Sequence, residues 1–278
     1  MFDYLKIPAS DLGRGTPVRV CVLSDMASIA HDLAVAIREE LLAAQRRSGA
    51  ATLIVPVGPV DQFPLLARMI NEEQIDCRDV MLINMDEYLT PDDEFVPADH
   101  PLSFRGYMDR AFYQLLDSGL APRAANRVFP EPRDGGGLQR LIAERGGVDA
   151  CFGGIGINGH IAFNEPPEPG ESVTVEEFAR LPTRALPLSR ETCTINSVTV
   201  GGEIGVVPHR AVTVGMKEIL AARRLRFYCN RPWQSAVVRR VLHGPITAAC
   251  PASLLRLHPD ATITVADYVA RPPDIQLR

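Results

Sequence analysis

Cys151–Pro167 reads C-F-G-G-I-G-I-N-G-H-I-A-F-N-E-P-P. A short apolar strand over 148–154 runs into a glycine-dense turn that ends on His160, and Glu165 follows five residues later. Glycine reaches backbone angles that other residues avoid and lets a ligand approach the main chain, so Gly156 and Gly159 are candidate substrate contacts. A histidine there, with a carboxylate near enough to set its tautomer, suits proton transfer to a bound small molecule. Taken alone, the turn fits a structural loop with a hydrogen-bonded histidine equally well.

A second stretch shifts that balance. Asn84-Met85-Asp86-Glu87-Tyr88 follows the apolar run Val80-Met81-Leu82-Ile83, which places Asp86 and Glu87 just past the carboxyl end of a buried strand. Ligand sites of open α/β sheets lie at that end. An isolated acidic pair is more often a solvated loop, but two polar clusters at strand ends argue for one shared cleft.

Outward from these stretches, strands and helices alternate. Strands are expected at 18–23, 51–57, 80–85, 148–154, 210–215, 225–229 and 261–265. Helices are expected over 28–46, with Ile29, Leu33, Ile37 and Leu41 on one side, and at about 64–73, 103–116, 137–145 and 232–242, the last with Pro232 in its first turn. Residues 87–101 read as a long loop, 173–180 as a small mobile lid helix, and the tail after Tyr268 as loosely ordered. The alternation implies right-handed crossovers and a mostly parallel sheet covered on both faces. No linker or repeat divides the 278 residues, so the whole chain, 1–278, reads as one domain.

Composition narrows the function classes. At 46% hydrophobic residues a sizeable core is feasible. The net charge is −5 with scattered basic residues, so no nucleic-acid partner is expected. No apolar run is long enough to span a bilayer, and the first residues lack a secretory signal, so no membrane partner and a cytoplasmic location are expected. The six cysteines lie far apart with no C-x-x-C spacing, which reads as buried, reduced thiols and gives no support for a metal or redox pair.

The chain resembles the glucosamine-6-phosphate deaminase (isomerase) family, related to the 6-phosphogluconolactonases. The resemblance rests on N-M-D-E-Y at 84–88, H-P-x-S at 100–103, G-G-I-G-x-x-G-H-I-A-F-N-E-P at 153–166, A-V-T-V-G at 211–215 and L-H-P-D-A at 257–261. It implies a Rossmann-like three-layer α/β/α sandwich. The implied activity is cofactor-free conversion of a 2-amino-2-deoxy aldose to a ketose with loss of ammonia. The partner is then a small sugar, and a homo-oligomer is among the family's known states. By the same resemblance, Asp86 moves the proton between C2 and C1, His160 helps to open the pyranose ring, and Glu165 orients His160.

The departures concern the phosphate end of the sugar. The family's glycine- and threonine-rich phosphate loop is here Gly58-Pro59-Val60-Asp61-Gln62, in which proline has no N–H to donate and Asp61 adds a like charge. The family's arginine and late lysine are replaced by Val198 and Gln234, although Arg231 is close. Each charge-assisted contact to an anion is worth roughly 1.5–3 kcal/mol, so the expected substrate is an amino sugar lacking the 6-phosphate or one bearing a different group there, such as a sulfonate or carboxylate. Lys217, Arg184, Arg190, Arg223 and Arg224 are candidate replacement ligands, each more often a solvated surface residue. The family's aspartate before the histidine is Asn158, which holds geometry but takes no proton. Two other readings stay open: a sugar lactonase in which His160 activates water, and a non-catalytic sugar sensor.

Overall fold

The computed structural model describes residues 2–58 and 61–275. The chain starts on β1 (Arg19–Leu23), crosses over α1 (Met26–Ser48) to β2 (Thr52–Val55), and continues through α2 (Gln62–Glu72) to β3 (Met81–Asn84). Asp25 starts α1 by accepting the Ser28 N–H at 2.8 Å, and Gly49 ends it in the left-handed region at φ +81°. Between those caps Ile29, Leu33, Ile37 and Leu41 are buried, the stripe that the sequence spacing indicates. Each such aliphatic side chain contributes about 1.5–3 kcal/mol of burial.

After β3 the strand β4 (Asp86–Leu89), α3 (Phe104–Ala111), β5 (Arg127–Val128) and α4 (Gly137–Glu144) lead to β6 (Ala150–Gly153). Then come α5 (Val175–Ala179), β7 (Arg184–Pro187), α6 (Arg190–Asn196), β8 (Arg210–Thr213), α7 (Met216–Leu220), β9 (Leu225–Cys229), α8 (Gln234–His243), β10 (Ala261–Ala266) and α9 (Asp267–Ala270). Among the described residues the central sheet has seven strands in the order β1-β10-β9-β6-β2-β3-β5, all parallel and flanked by helices. β2, β3 and β6 are buried at every position, as expected for parallel strands covered on both faces.

The topology itself marks a crevice. From β2 the chain proceeds to one side, to β3 and β5. From β6 it proceeds to the other, to β9 and β10. The order therefore reverses between β2 and β6, and ligands of such sheets bind outside the carboxyl ends at that reversal. Gly58 follows β2 and the turn to His160 follows β6. A Cβ built on Gly154 would lie 3.8 Å from the Gly58 carbonyl oxygen, so the two loops are neighbours.

Several boundaries differ from the sequence reading. Residues 86–89 are a strand, not the start of a loop, and they pair antiparallel with β8, which pairs antiparallel with β7 in a second, three-stranded sheet. The helix after Ser103 stops at Ala111, and a short 3-10 turn over Tyr113–Leu115 replaces its second half. Pro232 precedes α8, which starts at Gln234. α5 is packed rather than detached: Thr174 and Glu177 form a reciprocal capping box, and Phe178 is buried in the main core. The tail is docked through Arg271, with Val269 and Ala270 buried and the Ser235 hydroxyl bonded to the Arg271 carbonyl. All six thiols are free, five buried and Cys21 half-buried. Among the described residues no helix is long and apolar enough to cross a membrane, and no cluster of His, Cys, Asp or Glu is suited to a metal.

Candidate active site

Asp86 stands where the chain leaves β3 and enters the second sheet. Its strand partner is Thr213, whose own partner is Arg184. Directly opposed residues of an antiparallel sheet share a face, so Asp86, Thr213 and Arg184 lie in one row. The Thr213 hydroxyl in that row accepts the Phe163 N–H at 3.0 Å. The fully buried Asn164 amide donates to the Ile161 carbonyl at 3.1 Å and to the Val214 carbonyl at 2.8 Å. Val214 N–H in turn donates to the Met85 carbonyl at 2.7 Å. The segment just after His160 is thereby tied to the strand beside Asp86. Ala162 within it is left-handed at φ +52°, a strained position for a residue with a Cβ.

Asp86 is 8% exposed, and among the described residues no hydrogen bond or ion pair reaches its carboxyl group. Burial first, and then the neighbouring Glu87 charge, push its pKa well above the usual carboxylate range. The carboxylate, where it forms, is therefore a stronger base than an exposed one.

Glu87, expected beside Asp86 as a substrate contact in the same cleft, is a different kind of acid, its oxygens taken up by the protein itself. It is fully buried and its oxygens are occupied by the start of α3. It accepts N–H bonds from Phe104 at 3.0 Å and Arg105 at 2.7 Å, the Tyr88 N–H at 2.9 Å and the Ser103 hydroxyl at 3.2 Å, and the Arg105 guanidinium lies 3.4 Å away. Burial raises its pKa, opposed by those N–H groups.

His160 sits on the glycine turn. A Cβ on Gly156 would come within 2.0 Å of its Nε2, so the imidazole lies directly over that glycine. Gly159 has φ +93°, and a Cβ there would collide with the Cys250 sulfur at 2.7 Å. Both glycines are required by close approach within the protein. Nδ1 of His160 lies 3.2 Å from the Thr192 hydroxyl and 3.5 Å from Glu165 Oε2. Asn158 bridges this group: its Nδ2 donates to Glu165 Oε2 at 2.7 Å and to the Ser189 hydroxyl at 3.3 Å, while its Oδ1 accepts the His160 N–H at 3.1 Å. Ser189 N–H donates to the other Glu165 oxygen at 3.2 Å. Burial alone would raise the Glu165 pKa. The nearby His160 first, and then Thr192 and the Asn158 amide, outweigh it and hold the carboxyl at about 2.

Thr192 and Ser189 were not legible as site residues, because both reach the turn from α6, some thirty positions along the chain. The only local signal is Ser189 as a helix cap, accepting the Thr192 N–H at 3.2 Å.

Of the expected substrate-contacting loop, Pro59 and Val60 lie outside the described residues. Gly58 is exposed. Asp61 is exposed and left-handed at φ +81°, where it precedes α2. Gln62 is fully buried; its Nε2 donates to the Val57 carbonyl at 3.0 Å and its Oε1 has no partner among the described residues. Lys217 is exposed in the first turn of α7, three residues beyond Val214, and Arg190 is exposed at the start of α6. Arg184 is bonded to the Asn164 side chain at 2.8 Å and to the Pro182 carbonyl at 3.2 Å. Arg223 and Arg224 precede β9 and sit at the opposite, amino edge of the sheet, where they face Asp149 at 3.7 Å and Glu40 at 2.7 Å. That placement removes them from the cleft. A cavity of about 450 Å³ between Arg38, Arg46 and Arg224 also lies at that edge.

No protein-family model matches the chain. Among curated proteins, it is 32% identical over 214 residues to a glucosamine-6-phosphate deaminase of Streptomyces avermitilis, covering 76% of this chain and 77% of that one. It is 34% identical over 220 residues to a glucosamine-6-phosphate deaminase of Bacillus velezensis, covering 76% and 83%. The chain belongs to the glucosamine-6-phosphate deaminase family. Among solved structures, a monomeric glucosamine-6-phosphate deaminase superposes with a TM-score of 0.76 at 25% identity, covering 91% of this chain and 99% of that one. The 6-phosphogluconolactonase of Trypanosoma cruzi superposes at 0.63 with 16% identity, a likeness of fold. The Rossmann-like α/β fold expected for such an enzyme is the one observed.

Proposed function

We propose that the protein is an amino-sugar isomerase/deaminase, converting a 2-amino-2-deoxy aldose to a ketose with release of ammonia. The observation that carries this reading is Asp86, a buried carboxyl group without a partner among the described residues, on a strand tied to the His160 turn at the reversal point of the sheet. His160 assists opening of the pyranose ring, and Glu165, anionic across the neutral range, supports it. Asp86 takes the proton from C2 of the open aldehyde to give an enolamine and returns it to C1. The resulting C2 imine adds water, and the carbon–nitrogen bond breaks to leave a ketone and ammonia. Acid–base help of this kind is worth roughly 10²–10⁴-fold per group.

The far end of the sugar differs from a phosphate site. Gln234 spends its amide on the Ile155 carbonyl at 2.8 Å and the Arg231 N–H at 2.7 Å. Val198 is 69% exposed and offers no charge. The Arg231 guanidinium lies against the Met26 sulfur, beside the edge strand β1. These observations support a substrate whose C6 group is not a phosphate. Ammonia release measured over glucosamine, glucosamine 6-phosphate and a C6-carboxylate amino sugar tests both levels. Turnover of at least one of them is expected, with the phosphorylated sugar disfavoured. Absence of ammonia from every sugar contradicts the deaminase reading, and a strong preference for the phosphate contradicts the altered far end.

A further inference from the structure

We infer that Thr192 is a positioning residue whose hydroxyl, beside the Glu165 carboxylate, holds the His160 imidazole as its Nδ1–H tautomer. The inference rests on the reading of His160 as a group that acts on the sugar, and it extends that reading to a residue on another element.

The distances decide which contact matters. Nδ1 to Glu165 Oε2 is 3.5 Å, beyond a normal N–H···O bond, whereas Nδ1 to Thr192 Oγ1 is 3.2 Å, at its upper limit. The carboxylate that the sequence pairs with the histidine is thus the more distant of two neighbours. Thr192 is fully buried, so water does not compete for its hydroxyl.

The proton count then follows from the donors available. A threonine hydroxyl has one proton and two acceptor positions. Ser189 Oγ donates to Thr192 Oγ1 at 3.1 Å and fills one of them. Nδ1–H fills the second, and Glu165 Oε2, 3.5 Å from the same nitrogen, adds a negative charge that favours a proton there. The opposite tautomer turns a bare Nδ1 lone pair towards an anion. With Nδ1 protonated, Nε2 carries the lone pair. Nε2 is the nitrogen lying over Gly156; among the described residues it forms no hydrogen bond, which leaves its lone pair able to accept a proton.

Two measurements test this on the intact protein. The first is the ¹⁵N spectrum of the histidine side chains, with the His160 signals assigned by their loss in His160→Gln. Under conditions where the ring is neutral, the wild type should show one tautomer, protonated on Nδ1, and Thr192→Val should show a mixture. The second is steady-state kinetics on whichever amino sugar is turned over. Thr192→Val should lower kcat about 10–100-fold with KM changed less than about 3-fold, and Thr192→Ser should recover most of the loss. A wild-type His160 protonated on Nε2 overturns the inference, and so does a valine variant that keeps both the single tautomer and the wild-type kcat. The wild-type spectrum decides the tautomer even if the valine variant fails to fold or the protein proves to release no ammonia.

Discussion

Asp86 and Arg239 are both buried charged side chains, 8% and 0% exposed, in opposite circumstances. The Arg239 guanidinium is surrounded by carbonyl groups: Nε donates to Ile7 at 3.0 Å, Nη1 to Ser235 at 3.1 Å and Val269 at 3.4 Å, and Nη2 to Ala270 at 2.5 Å. It ties the amino-terminal segment, α8 and α9 together, and no carboxylate is needed. Asp86 has no such bonds and a second carboxyl group next to it in the chain. A buried polar group without partners is destabilising by about 1–3 kcal/mol. The contrast is between a charge bonded into the fold and a buried carboxyl group that the fold leaves unbonded among the described residues.

Substitutions at the two positions should diverge. Asp86→Asn should lower kcat by about 10²–10⁴-fold and at the same time raise the melting temperature at neutral pH, because a raised carboxyl pKa means that ionisation opposes folding as pH rises. Thermal unfolding followed at pH 7 checks the sign; a lower melting temperature would place Asp86 with Arg239 as a structural charge. Arg239→Met should destabilise by at least about 3 kcal/mol, seen as a lower denaturation midpoint, since several carbonyls lose their only side-chain donor. A near-neutral result would show that neighbouring segments rearrange to satisfy them.

Glu165 sharpens the comparison, being a site carboxylate that is fully bonded. Its pKa of about 2 lies below the ordinary 4.5, so its contribution is complete above pH 4.5 and disappears as pH falls towards 2. The difference amounts to roughly 3 kcal/mol. Stability measured from pH 6 to 2 should fall across that window in the wild type and fall less in Glu165→Gln. Asn158→Asp should have the smallest effect. It exchanges an amide donor 2.7 Å from Glu165 for a like charge, so the Glu165 titration, followed by carbon-13 NMR, should move up from about 2.

Much of this arrangement can be traced to local sequence. The apolar runs of β2, β3 and β6 and the glycine spacing around His160 are contiguous signals, and they indicate the parallel sheet and the tight turn that carries His160. β4 and β7 escaped notice because D-E-Y-L and R-A-L-P are polar or proline-bearing and acquire strand geometry only by pairing with β8. The bonding of Glu87 was not legible because its partners, the first amides of α3, lie sixteen to eighteen residues downstream. For Arg223 and Arg224 the surface role that the sequence favours is the one observed, because strand direction decides which edge of the sheet a residue occupies: they precede β9, whereas the cleft follows the strands. Thr192 approaches His160 through tertiary packing alone.

The most direct test of the Asp86 assignment is proton exchange at the reacting carbons. Incubating the ketose product and ammonium with enzyme in D₂O, and following C1 by NMR, isolates the step that Asp86 is assigned. The wild type should introduce deuterium at C1, and Asp86→Asn should do so at least about 100-fold more slowly while still binding the ketose. Exchange at the wild-type rate in Asp86→Asn would contradict the role of this carboxyl group in moving the proton.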